Sequence, residues 1–312
     1  MTSAIAITSL TKRFGRRTVL DGIDLAVETG RVVGLIGPNG AGKTTTMRTL
    51  VDIVRPTSGT VRVLGVDPRT GGAAQRRRIG YLPGELAMDS RQTARSVLAH
   101  YAALDGASGV PGRIVELAAR LGLDLDRSAR ALSKGNKQKV GVIQAFAHDP
   151  ELLVLDEPTS GLDPLVQQEF LRIVREARDA GRTVLLSSHV ISEIAHVADE
   201  VAVLREGRVV ARSSIAALRA AAPREVRVRV DPAHHDALLR RIAAVPGLEL
   251  ARRRADDPEG GASGTLSGEI GAFVAALSGL AVRDLVVQEP DLERAVLAYY
   301  GPERAVGDGS AP

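Results

Sequence analysis

The sequence predicts an α/β protein built around a mostly parallel sheet, and three observations carry that expectation. Residues 151–155 form a nearly continuous apolar run ending in Asp156-Glu157, the pattern of a parallel strand buried on both faces. From there strand and helix patterns alternate: helical spacing over 166–180, a buried strand over 183–187 ending at His189, a helix over 192–198 and a strand over 201–205. Upstream, a short apolar strand over 31–36 meets a helical pattern over 44–54, with Met47, Leu50, Val51 and Val54 at helical spacing, through Gly37-Pro38-Asn39-Gly40-Ala41-Gly42-Lys43-Thr44-Thr45. In such sheets ligands bind at the carboxyl ends of the strands, where this glycine-rich loop and the Asp156-Glu157 pair both fall.

Taken in order, residues 4–10 alternate as a strand. Residues 12–15 read as a turn, 18–20 as a second extended piece and 23–27 as a third with period-two alternation, so an antiparallel sheet is expected ahead of the loop. After the first helix, 56–59 is a turn, 60–64 a strand, and 79–82 a short strand ended by Pro83-Gly84. Residues 94–148 turn helical, with breaks at 106–112 and 122–126, which implies a helical subdomain inserted at about 85–150. Its last helix begins just after Leu132-Ser133-Lys134-Gly135-Asn136.

The pattern changes near 220–223, so domains are expected at 1–220 and 221–306. The second is a small α+β module: strand 225–230, helix 233–244, extended 248–252, a Gly-rich acidic loop 256–264, helix 270–277, strand 282–288 and helix 291–300. Residues 307–312 read as a disordered tail.

At 312 residues the chain exceeds a typical domain, and 44% hydrophobic with 25% charged residues is ordinary for a soluble protein. Aromatics are only 3%, so the core must be aliphatic. The absence of cysteine excludes disulfides and thiolate metal sites. His234-His235 has no clustered ligands nearby and reads as a solvated pair. No run of eighteen apolar residues exists and residues 1–10 lack a signal-peptide pattern, so a cytoplasmic location is expected. The 41 basic residues face 37 acidic ones, and Arg76-Arg77-Arg78 and Arg252-Arg253-Arg254 lack interleaved aromatics. Both clusters read as solvated faces, and no nucleic-acid partner is expected.

The loop carries the chemistry. Glycines at 37, 40 and 42 let backbone N–H groups point inward, and the helix beginning near Lys43 adds the positive end of its dipole, making an anion nest. Lys43 is placed to reach the β- and γ-phosphates of a nucleotide and the Thr44 hydroxyl to help hold Mg²⁺. Asp156 is suited to the same cation, and Glu157 to orienting or deprotonating an attacking water. Phe14 is an aromatic in a polar turn; position alone leaves base stacking and partial burial equally open.

With these residues in view, the sequence resembles the nucleotide-binding subunit of ATP-binding-cassette (ABC) transporters over about residues 2–220. The family's signature, commonly Leu-Ser-Gly-Gly-Gln, appears as Leu132-Ser133-Lys134-Gly135-Asn136. Ser160-Gly161-Leu162-Asp163 matches the loop after the acidic pair, His189 the switch histidine at the γ-phosphate, and Phe14 the aromatic that stacks on adenine. The resemblance implies a P-loop NTPase with a RecA-like parallel core, an N-terminal antiparallel β subdomain and the helical insertion. It further implies ATP and Mg²⁺ as ligands, with Asp163 among the nucleotide-binding residues, and a head-to-tail dimer in which the signature residues Ser133 and Gly135 meet the nucleotide held by the partner's loop. A separate membrane permease would hold the subunit on the inner face of the membrane.

The 221–306 module, ending in Val286-Val287-Gln288-Glu289-Pro290-Asp291-Leu292-Glu293, looks like the appendage of bacterial drug- or polysaccharide-exporting ATPases of the ABC-2 type, and an exporter of drugs, antibiotics or lipids is expected. The alternatives are a soluble ABC ATPase acting on ribosomes or nucleic acid, and an importer ATPase. One departure stands out: the family's glutamine after the short strand at 79–82 is replaced by Gly84 followed by Glu85. Glu85 either substitutes as a Mg²⁺ ligand or keeps only a contact with the membrane subunit.

Overall fold

In the computed structural model β1 (Ser3–Phe14) and β2 (Arg17–Glu28) pair antiparallel, with Phe14 opposite Arg17 and the turn made by Gly15 and Arg16. This corrects the turn expected at 12–15: Lys12, Arg13 and Phe14 belong to the strand, and the chain reverses where Gly15 supplies a φ of 58°. The structure describes residues 3–86, 88, 91–105, 109–250, 261–289, 292 and 296. Contacts divide the chain into Met1–Ser213 and Ser214–Pro312.

β3 (Val32–Ile36) is buried at all five positions and leads into α1 (Lys43–Leu50), after which β4 (Ser58–Val63) returns to pair with β1. α1 is shorter than the 44–54 pattern, because Asp52 turns the chain with a φ of 58°. α2 (Gly72–Arg76), unforeseen in the sequence, precedes β5 (Ile79–Leu82). The inserted subdomain is α3 (Ala94–Asp105), α4 (Val110–Leu121) and α5 (Lys134–Phe146). Gly122, with a φ of 62°, ends α4 in the left-handed conformation that glycine adopts without a Cβ clash.

β6 (Leu152–Leu155), α6 (Pro164–Asp179), β7 (Thr183–Ser188), α7 (Ile191–Ile194), β8 (Glu200–Arg205) and β9 (Arg208–Ser214) complete the first unit. The six-stranded sheet runs β5-β6-β7-β3-β8-β9, and β5 through β8 pair parallel. The antiparallel β2-β1-β4 sheet packs on one face of it through a shared core that includes Ile5, Leu25, Val33, Leu35, Met47, Leu50 and Val154. Truncating a fully buried side chain such as Leu35 to alanine costs about 2–5 kcal/mol in such a core. On the other face a Cβ at Gly34 would fall 2.4 Å from Ile194 Cδ1, so a larger residue there would make the Ile194 side chain on α7 shift.

Strand order positions the site. β7 lies between β3 and β6, so the segments leaving the carboxyl ends of all three emerge side by side: the glycine-rich loop, Asp156-Glu157 and His189.

The second unit opens with α8 (Ile215–Ala221) and continues with β10 (Arg224–Val230), α9 (His235–Ile242), β11 (Leu248–Leu250), β12 (Gly261–Leu266), α10 (Ile270–Ala276) and β13 (Val282–Val287). Its sheet runs β11-β12-β10-β13 with antiparallel pairing throughout. Val226, Val228 and Val230 pack with Leu238, Ile242 and Phe273 in its core. The loop expected at 256–264 is corrected here: 261–264 form the start of β12, paired with β10. His234 is also not simply solvated, since its Nδ1 accepts the Ala281 N–H at 2.9 Å. The Arg252-Arg253-Arg254 cluster, residues 256–260, the tail 307–312 and, apart from Leu292 and Val296, the helix expected at 291–300 lie outside the described residues.

Candidate nucleotide site

α1 starts on Gly42, whose φ of 111° is closed to ordinary L residues, and no side chain caps it. The glycines are also forced by packing: a Cβ at Gly37 would lie 2.3 Å from the Leu204 carbonyl oxygen, and one at Gly42 2.6 Å from Leu20 Cδ2. Gly40 adds a φ of 82°. The result is a helix N-terminus with no acidic residue in its first turn, able to take an anion. Pro38 and Asn39 form the exposed rim of the loop, Ala41 is buried beneath it, and Thr44 and Thr45 are half-buried in the first turn of α1.

Lys43 is only 6% exposed, yet its ammonium is well satisfied. It donates to the Gly37 carbonyl at 2.6 Å and pairs with Glu157 Oε1 at 3.2 Å. The other oxygen, Glu157 Oε2, lies 2.8 Å from His189 Nδ1. One carboxylate therefore bridges the loop lysine and the histidine that follows β7.

Asp156 is fully buried. Its Oδ1 accepts the Ser187 hydroxyl at 2.7 Å, while Oδ2 has no hydrogen-bond partner among the described residues. A Cβ at Gly84 would stand 3.1 Å from that same Oδ2, so the glycine leaves space above it. A buried carboxylate oxygen without a donor is costly, and a cation beside it removes the cost. The Asp156 carboxylate therefore fits a cation such as Mg²⁺. Tyr81, half-buried on β5, has its phenol pushed up by burial first and by the Asp156 charge second, so it stays neutral beside the carboxylate.

Glu157 has a φ of 48°, a left-handed conformation that costs a non-glycine residue about 1–3 kcal/mol. Three hydrogen bonds brace it. Its N–H donates to Ser187 Oγ at 2.9 Å, and Gln138 Nε2 donates to the carbonyls of Glu157 and Pro158, each at 3.1 Å. Ser187 thus accepts from Glu157 while donating to Asp156, which locks the acidic pair to the end of β7.

A cavity of about 510 Å³ opens over these groups, lined among others by Asn39, Glu85, Lys134, Gln138, Glu157 and His189. Glu85 itself is exposed, and it is Gly84 that faces Asp156. In the signature segment, Ser133 caps α5 by accepting the Asn136 N–H at 3.3 Å. Gly135 packs against the loop after the acidic pair, where a Cβ would fall 2.4 Å from the Gly161 carbonyl oxygen. Asp163 caps α6 by accepting the Val166 N–H at 3.0 Å. Phe14 ends β1 half-exposed, with the Lys12 ammonium 4.7 Å above its ring.

Two residues that shape the site escaped the sequence reading. Ser187 carried a signal, a hydroxyl directly after the apolar run 184–186 of a buried strand. Gln138 is read from sequence as one polar residue among lysines, and only its burial reveals it.

A family model described as ABC transporter matches residues 20–160. A daunorubicin resistance ATP-binding protein of Streptomyces coeruleorubidus is 33% identical over 318 residues, covering 99% of both chains. The chain belongs to the ABC transporter ATP-binding proteins. It is an ATPase cassette that powers an ABC transporter. A daunorubicin/doxorubicin resistance ATP-binding protein of Streptomyces peucetius is 35% identical over 83% of each chain. A solved structure described as the ATP binding subunit of an ABC transporter superposes on the cassette with a TM-score of 0.65 at 30% identity, covering 70% of this chain and 92% of that one. No described helix is long and apolar enough to cross a membrane.

Proposed function

We propose that this cassette drives export of drugs, antibiotics or lipids through a separate membrane permease, hydrolysing ATP at composite sites formed by two copies facing head to tail. Support for export comes from the relatives named for daunorubicin resistance and, in Bacillus licheniformis, for bacitracin transport, the latter 36% identical over 67% of this chain and 69% of that one. Peripheral attachment to the inner face of the membrane follows from that assembly.

The observation that carries the catalytic reading is the Glu157 carboxylate held between Lys43 and His189 at the mouth of the phosphate loop. Residues 37–45 would cradle the phosphates with backbone N–H groups, and Lys43 would hold the β- and γ-phosphates. A triphosphate carries more charge than one carboxylate, so it competes for the Lys43 ammonium and frees Glu157 Oε1 to accept a proton from water. His189 then keeps the other carboxylate oxygen oriented and reaches toward the γ-phosphate. Mg²⁺, held by Thr44 and Asp156, would neutralise phosphate charge.

Phe14 offers its exposed face to adenine. Ser133, Gly135 and Asp163 would complete the partner's site. Glu85, exposed beside Gly84, is assigned to the contact with the permease rather than to the metal. Residues 221–306 serve as an accessory domain to the 1–220 cassette.

The test is Glu157→Gln, which keeps the shape and removes the base. Turnover should fall by about 10²–10⁴-fold while ATP still binds, so that gel filtration with Mg·ATP shows an accumulated dimer. Normal turnover in this variant would remove Glu157 from the role.

A further inference from the structure

Gln138 sits one turn into α5, 4% exposed, in a place where a polar side chain needs a reason. Its amide nitrogen donates to two successive main-chain carbonyls, those of Glu157 and Pro158, both at 3.1 Å. Two acceptors side by side fix the orientation of the amide, because only the NH₂ end offers two hydrogens. The residue they restrain is the one held in the left-handed conformation, with a φ of 48°. From the opposite side Ser187 Oγ takes the Glu157 N–H. The peptide units on both sides of the Glu157 Cα are therefore tied, one to β7 and one to the helical insertion.

We infer that Gln138 is a positioning residue for ATP hydrolysis: it clamps the Glu157-Pro158 backbone so that the Glu157 carboxylate stays between Lys43 and His189. The inference rests on the reading of Glu157 as the base. It goes beyond that reading by making the direction of the carboxylate depend on α5, the helix that starts at the Ser133 cap. A shift of α5 relative to β6 would move the Glu157 carbonyl, and through it the side chain that must face the water. Misplacing a reacting group by about 1 Å costs on the order of 10²-fold in rate, so a single lost clamp is expected to be visible in turnover.

The full-length protein is assayed as Gln138→Met, which keeps the length and volume but removes both donors, and as Gln138→Glu, which sets a carboxylate against two carbonyls. Expected is a fall in kcat of about 10-fold for Gln138→Met and a larger one for Gln138→Glu, with KM for ATP within about twofold of the parent. A part that merely filled space would leave Gln138→Met with the parent's kcat, and that result overturns the inference. Equal losses in nucleotide affinity and turnover overturn it as well, since the clamp touches no phosphate-binding group.

The decisive arm is the pair Gln138→Met with Glu157→Gln. With the base already gone, adding Gln138→Met should change the residual rate by less than about twofold; full additivity defeats the inference. Glu157→Gln assayed alone separates the two readings. If it turns over normally, the base assignment fails and takes the clamp with it. If it is dead while Gln138→Met is fully active, only the clamp fails. Thermal unfolding of each variant, expected within a few degrees of the parent, shows that the lost turnover comes from a folded protein.

Discussion

α1 and α5 each begin beside the cavity, and they begin differently. α1 starts on Gly42 at a φ of 111° with no capping side chain, whereas α5 starts on Ser133, whose own hydroxyl accepts the Asn136 N–H. At 3.3 Å that cap bond is longer than the usual 2.9–3.0 Å for N–H···O, so Ser133 holds its helix end lightly. The contrast fits the two proposed roles. A loop that binds phosphate within its own chain is built open, with glycines packed against Leu20 and Leu204 so that it cannot collapse. A helix start that meets the partner's nucleotide is satisfied by its own serine, which a phosphate oxygen can replace at small cost.

The largest effect should come from removing the cation at the α1 end. In Lys43→Ala the half-buried Glu157 carboxylate loses its 3.2 Å partner and the phosphates lose their point charge. ATPase activity is expected to fall to background and nucleotide affinity to drop on the order of 10-fold or more. Measured turnover at the parent rate would break the comparison at its root, because α1 would no longer mark the catalytic end.

Next in size is the α5 end. Ser133→Arg should abolish turnover of the homodimer while leaving ATP binding to the same chain's phosphate loop within about threefold, since Ser133 would contact only the partner's nucleotide. Mixing it with Lys43→Ala puts both lesions on one of two composite sites. Partial recovery of ATPase activity on mixing supports action across the interface; no recovery, with heterodimers verified, would place both helix starts on the same nucleotide.

These two ends were not equally legible in the sequence. The phosphate loop announced itself, because an apolar strand, three glycines and Lys43-Thr44 in a fixed order have few other uses. Asp156-Glu157 was legible for the same reason, two carboxylates closing a buried run. What could not be read was how they are held. Gln138 lies between two lysines, and the sequence contains no sign that its amide reaches nineteen residues onward to Glu157. β12 was missed because Gly261-Ala262-Ser263-Gly264 has little strand propensity of its own; its extended form is imposed by pairing with β10 on one side and β11 on the other. The hairpin end at 12–14 was misplaced because Lys12 and Arg13 read as polar turn residues, although a strand with one solvated face carries such residues freely.

The smallest expected effect decides how far the α1 side of the cavity extends. Gly84 lies over the unpartnered Asp156 oxygen, where a Cβ would be 3.1 Å away, while the next residue, Glu85, is exposed at the cavity wall. A second carboxylate beside Asp156 and the phosphates is unfavourable unless it binds the cation directly, and Pro83-Gly84 permits the bend that turns Glu85 outward. Glu85→Ala is therefore expected to change ATPase activity of the isolated subunit by less than about threefold, a shift within the roughly 0–1 kcal/mol of an exposed charge. Hydrolysis stimulated by the reconstituted permease should fall further, and Glu85→Gln should keep more of it than Glu85→Ala by preserving length and hydrogen bonding. A loss of 10-fold or more in the isolated Glu85→Ala variant would instead draw Glu85 into the metal set with Thr44 and Asp156, and the α1 side of the cavity would then reach across to the segment after β5.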